Sequence, residues 1–168
     1  MPPADDPRCG FVSLVQPGAV QGVVMAGRER ERAELAAAVV QAERGNGRAV
    51  LLLGEPGMGK STLADWLVGL ARDAGVRCAR GNCSAAGMPA LWPWRRALAD
   101  LAAKLPCQDE SAPAAQSDRE LLAAAVVDAV ASAAREQPVL IVLEDVHWAD
   151  PATLLVARAV ADAIPPLP

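Results

Sequence analysis

The sequence predicts an α/β protein in which a parallel sheet is flanked by helices. Two observations carry this expectation. Residues 48–53 (RAVLLL) and 138–143 (PVLIVL) are short apolar runs without alternation, the pattern of strands buried on both faces. Each lies between stretches of helical period, and strands that take turns with helices pair in parallel through helical crossovers. At 168 residues the chain has room for one domain with a real core, not for two.

In order, residues 1–22 are Pro-rich and read as a weakly ordered leader, and 23–168 as the folded domain. From Gly27 to Arg44, Leu35, Val39 and Ala42 recur at three- to four-residue spacing among charges, which predicts an amphipathic helix. Gly45-Asn46-Gly47 ends it, because glycine supplies the left-handed backbone of a helix C-cap. After the 48–53 strand a helix is expected over Lys60–Asp73, and a weaker strand over 76–81. Residues 92–105 read as a helix with Pro93 in its first turn, where the missing N–H costs nothing. Ser117 and Glu120 have the S-x-x-E spacing of a capping box, opening a helix through Leu122, Val126 and Val130. Asp150-Pro151 starts the last helix after the 138–143 strand.

Composition narrows the function. A formal charge of −4 argues against a nucleic-acid-binding surface made by this chain itself. Cys9, Cys78, Cys83 and Cys107 have no zinc-knuckle spacing, and the only histidine, His147, is remote in sequence; they read as free thiols of a reducing cytoplasm. The amino terminus lacks the basic start and apolar run of a signal peptide, and no stretch approaches the ~20 apolar residues that span a bilayer.

The chemistry concentrates in LLLGEPGMGKST, residues 51–62. Gly54–Ser61 fits G-x-x-x-x-G-K-[ST], the phosphate-binding P-loop (Walker A), between a strand and a helix as that loop requires. A loop wrapping an anion needs converging N–H donors, and Gly54, Gly57 and Gly59 supply the backbone freedom to aim them, with Glu55, Pro56 and Met58 between. The helix behind the loop adds its positive dipole end and the free amides near Lys60, Ser61 and Thr62. Lys60 offers a compact charge to the β- and γ-phosphates of ATP, and Ser61 a hydroxyl to Mg²⁺. The rival reading is a plain glycine-rich turn, against which the strand–loop–helix setting weighs.

The second stretch is PVLIVLEDVHWAD, 138–150, which carries Glu144 and Asp145 to the carboxyl end of a strand, where open α/β sheets place ligands. One carboxylate can hold the Mg²⁺ water shell and the other orient or deprotonate the attacking water, a Walker B reading. His147 is expected to pack beside Trp148, Asp150 to serve as a helix N-cap, and Trp92 and Trp94 to cover the rim of the core.

Taken together, GRERERAEL, LLLGEPGMGKSTL, GNCSAAGMPALWPWRRAL and PVLIVLEDVHWADPATL resemble the ATPase module of STAND proteins, the origin-recognition-like AAA domain of large LuxR-type transcriptional regulators and cyclase-linked ATPases. The resemblance covers 24 to about 162. It implies an ATP/ADP-driven switch with slow hydrolysis, and places Gly27 and Arg28 near adenine and ribose. The chain departs from it in putting Glu144 before Asp145, where Asp comes first in the family. The family continues with a sensor strand, an arginine that reads the γ-phosphate, a lid, and sensor and DNA-binding domains, so the domain is expected to be C-terminally incomplete at residue 168. Two alternatives stand beside this reading: a small P-loop kinase for a metabolite, and a non-catalytic module that uses nucleotide to dock. An ABC-type ATPase is disfavoured by the lack of an LSGGQ-like stretch.

The resemblance also sets an expectation for the sheet. It separates the two motif strands by a later strand, for which residues 48–53, 76–81 and 138–143 leave no candidate. The slot beside 48–53 is then open, a hydrophobic edge for a partner segment or for self-association. A kinase-type arrangement instead pairs 48–53 directly with 138–143.

Overall fold

A computed structural model describes residues 28–86, 88–103 and 116–164. The leader assigned to 1–22, Gly27, Cys9, Cys107 and Lys104 lie outside the described residues. The elements in chain order are α1 (Glu29–Glu43), α2 (Lys60–Asp73), β1 (Arg77–Asn82), α3 (Trp92–Asp100), α4 (Gln116–Glu136), β2 (Val139–Glu144), a 3₁₀ turn (Val146–Trp148) and α5 (Pro151–Ala163).

β1 and β2 pair in parallel, Arg77 opposite Val139 through Asn82 opposite Glu144. Alternate side chains of a strand point to opposite faces, and the core divides accordingly. Leu140 and Val142 pack with Ala64, Val68 and the α1–α2 pair. Val139, Ile141 and Leu143 face the larger cluster built by α3, α4 and α5. Helices thus cover both faces of the sheet, which explains why PVLIVL shows no alternation.

At the centre of the larger cluster Trp94 is 2% exposed, and its indole N–H donates to the Thr153 carbonyl at 3.1 Å. The expectation that this tryptophan covers the core rim is therefore corrected: it is a core anchor tying α3 to α5. Gly81 explains how α3 comes so close, since a Cβ there would stand 2.1 Å from the Pro93 carbonyl oxygen.

Helix ends follow local chemistry. Gly45 N–H bonds Ala42 O and Asn46 N–H bonds Gln41 O, the paired bonds of a Schellman C-cap expected at Gly45-Asn46-Gly47. The helix expected over 92–105 stops at Asp100, because Ala102 turns left-handed and its N–H and that of Ala103 close the same motif on Ala99 and Leu98. The capping box at Ser117 is also corrected, since α4 already includes Gln116 and Ser117 is helical.

The largest correction concerns 48–53. Among the described residues this segment joins no sheet and makes no backbone hydrogen bond, and the sheet has only β1 and β2. It is not buried on both faces either. Val50 and Leu52 pack on the α1–α2 side, whereas Leu53 is 82% exposed. A cavity of about 140 Å³ lies between Ala49 and Val50 on one wall and Leu140, Ile141 and Leu143 of β2 on another. The direct ladder between 48–53 and 138–143 that a kinase-type sheet requires is absent among the described residues.

Candidate functional site

The apolar segment 48–53 delivers the chain to the start of α2, where the loop bends back on itself. Gly59 is the N-cap of α2 with φ of 73°, and Gly57 has φ of 81°, left-handed angles that glycine adopts at no steric cost. No side chain caps α2 and no acidic residue stands in its first turn. The first-turn amides of Lys60, Ser61 and Thr62 have no protein partner among the described residues; the first helical bond at this end runs from Leu63 N–H to Gly59 O. The Lys60 ammonium folds into the loop and donates to the carbonyls of Gly54 at 2.8 Å and Glu55 at 2.9 Å. Glu55, Pro56 and Met58 are exposed, and Ser61 and Thr62 half-buried.

Arg28 sits at the N-cap of α1 in a left-handed conformation, and its guanidinium donates to the Met58 carbonyl. The start of α1 is thereby tied to the loop. A second tie lies further along, where the Arg32 guanidinium rests 4.6 Å from the centre of the Trp66 ring.

On the other side, strand alternation turns Glu144 to the same face as Leu140 and Val142, toward α2. Glu144 is 4% exposed, and Arg80 Nη1 stands 3.4 Å from its Oε1. The other terminal nitrogen of Arg80 pairs with Asp65 on α2. Burial pushes the Glu144 carboxyl up to about 7; Arg80 opposes that rise, and Asp65 and Asp145 add to it. Because Ser61 and Asp65 are four residues apart on a helix, they share a face. Asp65, one turn beyond Ser61 on α2, is thus joined to Glu144 through Arg80.

Asp145 has a left-handed backbone (φ 53°) and opens the 3₁₀ turn, where the Trp148 N–H bonds its carbonyl at 2.8 Å. It is half-buried, while His147 and Trp148 are exposed and lie against each other at 5.1 Å between ring centres. Asp150 caps α5 as expected, accepting from Ala152 N–H at 2.9 Å and Thr153 N–H at 3.0 Å. It also receives the Leu91 N–H at 3.3 Å, which fixes the start of α3, and the Thr153 hydroxyl at 2.5 Å; against the opposing effect of burial, the hydroxyl first and then the backbone N–H groups hold its carboxyl below the usual range. Cys78 and Cys83 are free thiols, with Cys83 pushed up to about 11 by burial. Among the described residues no cluster of three or more His, Cys, Asp or Glu could hold a metal by itself.

Sequence reasoning missed Arg80 and Asp65. The available sign was an arginine in a strand whose neighbours, Ala79 and Gly81, are small and buried. A charge there needs a partner.

The family model for the AAA ATPase domain matches residues 24–167. Comparison with curated proteins and with solved structures gives no match. No helix among the described residues is long and apolar enough to cross a membrane. The matched span takes in Arg28, the Gly54–Ser61 loop, Arg80 and the Glu144–Asp145 pair, so the geometry above lies wholly within it. The chain belongs to the AAA ATPase domain family, and with it to the P-loop nucleotide-binding modules.

Proposed function

We propose that this chain is the ATP-binding switch module of a STAND-type bacterial regulator, acting in the cytoplasm and hydrolysing slowly, with residues 23–168 belonging to one P-loop domain. The observation that carries the reading is the donor set at the start of α2. Open amides, a lysine already seated in the loop and no competing carboxylate in the first turn suit a polyphosphate. Gly54 to Thr62 would cradle the phosphates, with Lys60 exchanging its two carbonyl partners for phosphate oxygens. Arg28, tied to Met58, supports a place for adenine and ribose beside the loop, and Gly27 precedes it in sequence.

Bound Mg²⁺ supplies charge neutralisation between phosphate oxygens. Ser61 and Glu144 would hold it, with Asp145 at the strand end. Asp145 and Glu144 are also the candidates to orient the attacking water. Slow turnover enters this proposal through the resemblance, and it agrees with the pairing of Arg80 to Asp65 and Glu144 and of Arg28 to the loop, which leaves neither to stabilise the transferred phosphate. Such an arginine is worth ~10³–10⁵ in rate. The DNA-binding output and the sensor domains belong to this proposal by resemblance alone.

Calorimetry with Mg²⁺ and ATP or ADP tests it. Lys60→Ala removes a charge-assisted contact of about 1.5–3 kcal/mol and should weaken binding about ten- to a hundredfold. Equal affinities for wild type and variant would overturn the nucleotide site. A turnover above about 1 s⁻¹, the range of kinases, abolished by Asp145→Asn, would overturn the slow switch and favour the kinase alternative.

A further inference from the structure

We infer that Arg80 is a positioning residue for Glu144, clamping that acid to Asp65 on the P-loop helix so that it faces the metal of a bound nucleotide. The inference rests on the nucleotide reading above and adds a residue outside both sequence motifs.

Arg80 sits opposite Val142 in the parallel ladder, two positions before Glu144 on the neighbouring strand. Ala79 faces the α3–α5 cluster, so Arg80 points to the opposite face, toward α2. Its backbone is pinned as well, the Arg80 N–H donating to Asp100 Oδ2 at 3.0 Å. From this fixed base the guanidinium reaches Glu144 with one terminal nitrogen and Asp65 with the other. The planar fork can serve two carboxylates at once, which a lysine's single nitrogen does poorly.

Two features separate this from an ordinary surface ion pair. The Glu144 side chain is 5% exposed, so its orientation is decided by protein partners and not by water. Asp65 lies one helical turn beyond Ser61 on the same face of α2. The clamp therefore links the helix face carrying the candidate metal hydroxyl to the candidate metal carboxylate. A purely structural staple would join the same elements, and only a metal-specific readout tells the two roles apart.

The test measures ATP affinity in Mg²⁺ and in EDTA, with melting temperature alongside, for wild type, Arg80→Gln, Arg80→Lys and Asp65→Asn. In Arg80→Gln the Mg²⁺-dependent gain in affinity should fall at least about tenfold, while affinity in EDTA stays within about twofold of wild type. Arg80→Lys should restore part of the gain. Asp65→Asn should lose about three- to fivefold of it, and adding Asp65→Asn to Arg80→Gln should cost no more than Arg80→Gln alone, since both act through one side chain. If the variants lower both affinities by the same factor, or lower only the melting temperature, Arg80 is a staple and the inference is overturned. Should Arg80→Gln not fold, Asp65→Asn decides: an unchanged Mg²⁺ gain overturns the inference. A wild type that binds ATP through Lys60 with no Mg²⁺ gain overturns this inference alone; a wild type that binds no ATP overturns the nucleotide reading with it.

Discussion

RAVLLL and PVLIVL are nearly the same string to a reader of sequence, yet the two segments end differently. Val139–Glu144 forms a ladder with β1 and buries alternate side chains on both faces, Val142 completely. Residues 48–53 pack Val50 and Leu52 on α1 and α2 while Leu51 and Leu53 are exposed, and no neighbour takes their backbone groups among the described residues. An apolar run states that a segment prefers burial. Whether it becomes a strand depends on a second chain segment arriving beside it, because every buried N–H and C=O needs a partner. A cavity of about 140 Å³ separates this segment from β2.

The sharpest way to break the comparison is amide hydrogen exchange. Amides shared between β1 and β2 should exchange only on global opening, at a cost of about 5–15 kcal/mol for a domain of ordinary stability. Those of 48–53 should exchange with an opening cost near zero. Comparable protection in both would mean that 48–53 has a backbone partner in solution, and the contrast would fail.

Side-chain truncation should follow the same division. Trp94→Ala removes a core anchor and its hydrogen bond to Thr153, and should cost about 3–5 kcal/mol by denaturant unfolding. Leu53→Ala, at an exposed position, should stay within about 0.5 kcal/mol. A large loss at Leu53 would point to a buried role for it in solution.

Glu144 sharpens the picture at the end of β2. Its folded carboxyl titrates near 7 against an ordinary 4.5. Between those values the folded chain keeps a proton that the unfolded chain has lost. Stability is therefore highest below the unfolded value and drains away as pH rises to the folded one, by up to about 3 kcal/mol for this group. Urea midpoints at about pH 5 and about pH 8 should fall more in wild type than in Glu144→Gln. Equal slopes would place Glu144 in a wetter setting than β2 gives it.

The sequence by itself determined the local features whose causes lie within a few residues. The limits of α2, the Schellman end of α1 at Gly45, the Asp150 cap and the loop from Gly54 to Ser61 all follow from residue chemistry at short range. The carboxylates at 144 and 145 were likewise legible, because a strand must end where its apolar run does. Only the tertiary structure decided which apolar run found a partner, that Trp94 fills the core, and that Gly81 admits the backbone of α3. It alone also joined Arg80 to Asp65 and Glu144, fifteen and sixty-four residues away. Pairings over such separations depend on strand order and register, which hydrophobic period and turn chemistry leave open.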